Sequence, residues 1–161
     1  MQEISKQIEN VVIEQVNLLN KKIKGINFLE LLKFNIIEKI KPLLENYTFD
    51  HTKDFVNKIK INNDNTLIEI KIIFIDKPSS ILKKVLLKDT LLISLKEVIQ
   101  IDVIDNEKRK EIKSFSILPL MGVCLSEKTH INLNFLKNCF YLEVKCEDNV
   151  KNIDIIKNDT I

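Results

Sequence analysis

Few side chains in this sequence are suited to metal, nucleophilic or phosphate chemistry, and their spacing narrows the choice further. His51 and His130 are the only histidines. A mononuclear metal centre built on imidazole needs two or three histidines and a carboxylate converging on one ion, so no metal is expected. Cys124, Cys139 and Cys146 are odd in number and form no Cys-x-x-Cys pair. That argues against a zinc knuckle and against a disulfide framework, and leaves free thiols packed as small apolar groups. Cys124 with His130 would be a nucleophile and a base lacking an orienting third group. Gly25 and Gly122 are the only glycines, which excludes a glycine-rich phosphate loop. No cofactor is expected. His130, in Lys128-Thr129-His130-Ile131-Asn132, is the natural proton carrier near neutrality, whereas His51 falls in a polar linker and is expected to face solvent.

Composition sets the frame for these residues. With 161 residues, 45% hydrophobic and 30% charged, the chain can bury a core and is globular rather than disordered. The net charge of +2 is close to balanced, and no basic stripe with interleaved aromatics marks a nucleic-acid surface. No apolar run reaches the length of roughly 20 residues that a membrane span requires. The opening MQEISKQIEN lacks the pattern of a signal peptide, so a cytoplasmic location is expected, with no membrane partner.

The N-terminal part has helical periodicity. Ile4, Ile8, Val11, Val12, Val16, Leu19 and Ile23 form one stripe, and Gly25 is expected to end that helix. Asn27 and Glu30 resemble a capping box opening a second helix to about Lys41, with Phe28, Leu31, Leu32, Ile36 and Ile40 on its apolar face. Pro42 ends or kinks it. From about Phe55 the period becomes two. Strands are expected over Leu67–Ile75, Ile81–Leu87, Thr90–Leu95, Val98–Ile104, Glu111–Leu118, Met121–Leu125, His130–Phe135 and Cys139–Cys146. Short strands at this spacing indicate an all-β sandwich or barrel. The organisation expected is a helical hairpin over residues 1–46, a β domain over 54–147 and a polar tail over 148–161.

Within the β part, Thr90-Leu91-Leu92-Ile93-Ser94-Leu95-Lys96-Glu97 looks like a Gln-x-Leu-Ile-x-Leu-x-Gly strand and turn. Pro119-Leu120-Met121-Gly122-Val123-Cys124-Leu125 looks like a Pro-x-x-Gly-Leu-x-Ile segment, and Phe140-Tyr141-Leu142-Glu143-Val144 like a last apolar strand. These segments resemble the cupin superfamily, and within it the WxcM-like or sugar 3,4-ketoisomerase group. The resemblance runs from about Ile70 to Ile156 and leaves out the helical pair. It implies a cupin-like jelly-roll barrel or sandwich, so the fold expected is mainly β, with the N-terminal α-helical hairpin read from periodicity in front of it. It also implies chemistry on dTDP-linked 4-keto-6-deoxy sugars, in which an imidazole shuttles a proton between adjacent carbons.

The departures from that pattern bear on activity. The group's His-x-His falls on Lys83-Lys84-Val85, its turn glycine on Glu97, and the Pro-Pro after Pro-x-x-Gly on Ser126-Glu127. A lysine replaces imidazole as a base only when burial lowers its pKa by several units. Lys83 and Lys84 point to opposite faces of a strand, so at most one enters the interior. In the strand containing His130, Ile131, Leu133 and Phe135 are the inward set, which turns His130 outward. The expectation is a catalytically degenerate cupin-like module that binds a small polar ligand such as a sugar nucleotide, or serves as an assembly partner. Its interior would be mostly apolar, lined by Ile99, Ile101, Phe115, Ile117 and Val123. The alternative is an active sugar-nucleotide 3,4-ketoisomerase with Lys84, His130, Tyr141 and Glu143 as acid/base candidates. Two amphipathic helices beside a sheet with open edges lead to the expectation of a homodimer.

Overall fold

Helix α1 (Gln2–Leu18) carries several β-branched residues, which are mediocre helix formers. Tertiary packing holds it. Ile4, Ile8, Val12 and Val16 are almost wholly buried, and each contributes about 1.5–3 kcal/mol, well above a propensity deficit of at most about 0.7 kcal/mol per residue. Helix α2 (Gly25–Glu45) buries Phe28, Leu29, Leu32, Ile36 and Ile40 on the same core. The computed structural model describes residues 2–19, 23, 25–48, 54–63, 66–76, 80–105 and 110–147. His51 and the tail over 148–161 lie outside the described residues. No helix among the described residues is long and apolar enough to cross a membrane.

The helices differ from the sequence expectation in five details. Helix α1 stops at Leu18 rather than reaching Ile23. Gly25 opens α2 instead of closing α1, with a positive φ of 62° that favours glycine. Asn27 therefore sits inside the first turn and is not the cap. The helix also continues through Pro42, whose exposed position lets water serve the carbonyl that the ring leaves without a donor. Leu29 is buried where Leu31 was expected; Leu31 is exposed.

Among the described residues nine strands follow: β1 (Phe55–Asn63), β2 (Thr66–Ile75), β3 (Ser80–Val85), β4 (Asp89–Lys96), β5 (Ile99–Asp105), β6 (Lys110–Ile117), β7 (Gly122–Leu125), β8 (His130–Phe135) and β9 (Cys139–Glu147). One sheet has the order β1-β2-β9-β4-β7 and the other β3-β8-β5-β6. Strands β2 to β9 thus fill two four-stranded sheets in jelly-roll order, and β1 extends the first sheet at its edge. The two sheets are hydrogen-bonded separately, so the fold is a sandwich and not a closed barrel.

The first sheet is buried on both faces along β2, β9 and β4. Ile68, Ile70, Ile72 and Phe74 of β2 share a face with Phe140, Leu142, Val144 and Cys146 of β9 by strand register, and this face packs under the two helices. The opposite face, with Ile73, Tyr141, Cys139 and Leu92, meets Ile99, Ile101, Ile131, Leu133 and Phe135 of the second sheet. Burial on both sides explains why β4 and β9 read as nearly unbroken apolar runs. Helices, first sheet and second sheet form three layers with a core on each side of the middle one.

Two backbone positions shape the end of β4. Glu97 adopts a φ of 70°, the left-handed conformation that favours glycine, and Ser94 Oγ donates to its carbonyl. Gly122 faces Ile93 in the ladder. A Cβ there would lie 2.9 Å from Ile93 Cγ1 and 3.1 Å from both Leu92 O and Lys33 Cδ.

Candidate functional site

Three adjacent strands repeat one short pattern: Lys58-Ile59-Lys60 on β1, Glu69-Ile70-Lys71 on β2 and Glu143-Val144-Lys145 on β9. In each, the middle residue points to the helices, so the flanking charges lie on the opposite face, which covers the space between the sheets at β2 and β9 and is exposed at the edge strand β1. Register sets them opposite one another. Lys58 faces Lys71 and Lys60 faces Glu69, while Lys71 faces Glu143 and Glu69 faces Lys145. Antiparallel pairing of two Glu-apolar-Lys strands makes an alternating square of four charges, and β1 adds two lysines along its edge.

Lys84 completes the cluster from the second sheet. It pairs with Ile131, whose side chain is buried in the core between the sheets, so Lys84 points inward and Lys83 outward. Its Nζ donates to Glu143 Oε1 at 2.6 Å, joining the two sheets. Glu143 is only 1% exposed. Lys71 Nζ stands 3.9 Å from Glu143 Oε2 and 3.5 Å from Glu69 Oε1, and Lys58 is 3.5 Å from Glu69 Oε2. Five lysines therefore surround two glutamates at one end of the inner face.

The electrostatics follow from this excess. Burial works to raise the pKa of Glu69, but Lys71, Lys58, Lys145 and Lys60 together outweigh it and hold the carboxyl below its ordinary value. Lys145 is pushed the other way. Burial lowers its pKa first; Glu143 and Glu69 work to raise it and Lys71 and Lys84 to lower it, and the net result is a lowered value. A site that already presses on its own cations favours an incoming anion.

Of the four sequence candidates, Lys84, Tyr141 and Glu143 come together and His130 does not join them. Tyr141 lies two residues before Glu143 on the same inner face. Its ring stacks on Phe135 with centroids 5.6 Å apart, and burial, with help from Glu143, pushes its phenol well above the ordinary value. It stays protonated at neutral pH. His130 faces away from the core, since Ile131, Leu133 and Phe135 hold the inward positions of β8. It borders, with Lys83, Lys84 and Asn132, an open groove of about 390 Å³ at the end of the second sheet.

The apolar lining expected from the sequence accounts for only part of the interior. Ile99, Ile101 and Ile117 are in the core between the sheets, with Phe115 and Val123 packed against it, but the end near Glu143 is charged. Sequence reasoning missed Lys58, Lys60, Glu69, Lys71 and Lys145. The signal lay in the repeated charged-apolar-charged triplets.

The cysteines are free thiols. Cys139 and Cys146 are buried and Cys124 half-buried. Burial first, then Glu30, pushes the Cys124 thiol up to about 12. Cys124 packs on the helix side of the first sheet, away from the outward face of β8 that carries His130, so the two form no nucleophile and base pair. Among the described residues no group of three His, Cys, Asp or Glu side chains is placed to hold a metal ion.

Strand order and site together define a jelly-roll sandwich with a lysine-rich cluster at one end of its first sheet. Solved structures to which the chain is similar include a cupin superfamily protein from Desulfitobacterium hafniense, at 12% identity over 66% of this chain and 89% of that one, TM-score 0.49. An RmlC-like cupin family protein with a double-stranded β-helix fold from Methanocaldococcus jannaschii gives 13% identity over 65% and 89%, TM-score 0.48. The EutQ protein of Clostridium difficile gives 10% identity over 62% and 67%, TM-score 0.43. No family model matches the sequence and no curated protein matches it.

Proposed function

We propose that this protein is a non-catalytic, cupin-like binding module that holds a small anionic ligand at the lysine-rich end of its first sheet. A sugar nucleotide is the ligand class suggested by the resemblance of Thr90–Glu97, Pro119–Leu125 and Phe140–Val144. The observation that carries the reading is the gathering, among the described residues, of Lys58, Lys60, Lys71, Lys84 and Lys145 around two carboxylates. Lys71, Lys84 and Lys145 are half-buried, which is costly unless their charge is answered, and a phosphate group would answer it. The test is an NMR titration of the full chain with a dTDP-sugar. Shifts centred on Lys71, Glu143 and Lys145 are expected, and shifts confined to other surfaces would overturn the reading.

The alternative, an active 3,4-ketoisomerase, has one feature in its favour, a buried glutamate close to a protonated tyrosine on the inner face. Against it, Lys84 already engages Glu143 and His130 points away. Incubation with a dTDP-4-keto-6-deoxy sugar should yield no 3-keto isomer; its formation would replace the binding module with the enzyme.

A homodimer is part of the proposal. Strand β3 is an open edge of the second sheet, and Ile81, Leu82 and Val85 along it are exposed, a combination that invites pairing with a second copy. Light scattering at high micromolar concentration should give twice the chain mass, and a monomer there would remove the dimer from the account.

A further inference from the structure

The open edge of β3 matches a second copy of itself in one register. Leu86 N donates to Thr129 O, and Leu86 O accepts from Lys128 N. Backbone groups of successive strand residues point to opposite sides. Leu82, Lys84 and Leu86 therefore turn theirs toward β8, and Ile81, Lys83 and Val85 turn theirs to the open edge. In an antiparallel two-fold pair, only the register centred on Lys83 sets all three opposite one another. It places Ile81 against Val85 of the second copy, both exposed in the single chain. It also places Lys83 directly opposite Lys83 of the second copy, with Cα atoms about 5.5 Å apart, and like charges so placed oppose pairing.

The neighbours of Lys83 turn that repulsion into a site. Lys83 faces Asn132 on β8 and Val85 faces His130, and all four border the open groove of about 390 Å³. On the adjoining rows Gln100, Asp102, Ser114 and Asn134 bond to one another, whereas Lys83, Asn132 and His130 have no side-chain partner among the described residues. Pairing would join two such grooves, setting two ammonium groups and two carboxamides in a frame made by Ile81 and Val85 of both copies. Two unanswered cations in an apolar frame are costly, and one multivalent oxyanion answers both.

Building on the homodimer reading above, we infer that the β3 edges pair about a two-fold at Lys83, and that the two Lys83 side chains, flanked by Asn132 of each copy, hold one inorganic oxyanion of the sulfate or phosphate type. The site is incomplete in a single chain. The anion therefore tightens the dimer, and the dimer creates the anion site.

The experiment is sedimentation equilibrium of the full chain in sodium sulfate and in sodium chloride at equal ionic strength. The dimer Kd should be lower in sulfate by about tenfold or more. Lys83 is exposed, so its variants should fold. Lys83→Met should dimerise in chloride at least as well as the wild type and lose the difference between the two salts. Lys83→Glu added in excess to fluorescently labelled wild type should give a heterodimer tighter than either homodimer, because unlike charges then face each other. A sulfate effect of the same size in Lys83→Met would be the general effect of an excluded salt and would overturn the anion site. Equal dimerisation of the wild type in both salts with no heterodimer preference would overturn the register too, leaving a homodimer through another surface. A monomer under every condition, Lys83→Met included, would overturn the inference and the homodimer together.

Discussion

Lys84 on β3 and Glu143 on β9 meet across the sandwich with Nζ and Oε1 2.6 Å apart, one residue from each sheet. Glu143 is 1% exposed and the Lys84 side chain 19% exposed, so the pair is screened far less than a surface ion pair. Removing one partner of a buried pair typically costs about 3–5 kcal/mol. Lys71 remains near Glu143 and Lys84 keeps some solvent, so Lys84→Met should cost less, about 2–3 kcal/mol. The double variant Lys84→Met, Glu143→Leu should recover most of that loss, because it leaves no unpaired buried charge. Urea denaturation of the wild type, the two single variants and the double variant measures the coupling; additive losses would mean the pair contributes nothing.

The charge cluster should also write itself into the pH dependence of stability. The folded chain holds Glu69 below its ordinary carboxyl value of 4.5, so the stability it contributes is full above that value and is lost as pH falls through the lower folded pKa. Glu69→Gln should flatten the acid limb. Lys145 acts oppositely. Its folded pKa lies below the ordinary 10.5, so the unfolded chain holds the proton more tightly and stability rises with pH between the folded value and 10.5. Lys145→Met should remove that rise. Urea midpoints collected from acid to alkaline pH check both signs.

Backbone strain and close approach at the end of β4 predict two opposite responses. Glu97→Gly should stabilise by about 0.5–1 kcal/mol, since relief of the left-handed conformation exceeds the entropy that glycine adds to the unfolded chain. Gly122→Ala should destabilise by about 1–3 kcal/mol, because the new Cβ would crowd Ile93, Leu92 and Lys33. Thermal melting of the two variants should move in opposite directions.

Thiol reactivity should be low throughout. The Cys124 and Cys139 thiols are both pushed up to about 12 by burial, and the thiolate is the reactive form. Alkylation of the native protein at pH 8 should be slow at both positions and become fast at all three cysteines in denaturant. Rapid native labelling of Cys124 would contradict its placement against Glu30.

Much of the fold was legible because two-residue periodicity survives in single strands. The bounds of β8 match the expectation, the other anticipated strands match to within one or two residues, and the inward set Ile131, Leu133 and Phe135 is the observed one. The site was legible only in part. Alternation shows that β2 has an Ile-rich face and a Glu-Lys face, but not that the Ile-rich face belongs to the helices and the charged face to the space between the sheets. A strand buried on both sides reads like a half-exposed one until a second layer is known to cover it. Lys84 and Glu143 were named separately, yet their meeting depends on how the two sheets stack, which no local spacing encodes. The helix ends were missed for a local reason, since Gly25 serves the start of a helix as readily as the end of one.

The central claim is that the inner-face lysines form an anion site. Calorimetric titration of the wild type and of the Lys71→Met, Lys145→Met double variant with a dTDP-sugar, at low and at moderate salt, tests it directly. Measurable binding by the wild type that weakens with salt and falls about tenfold or more in the double variant is the result expected. No heat of binding at millimolar ligand, or equal affinity in the two proteins, would contradict it.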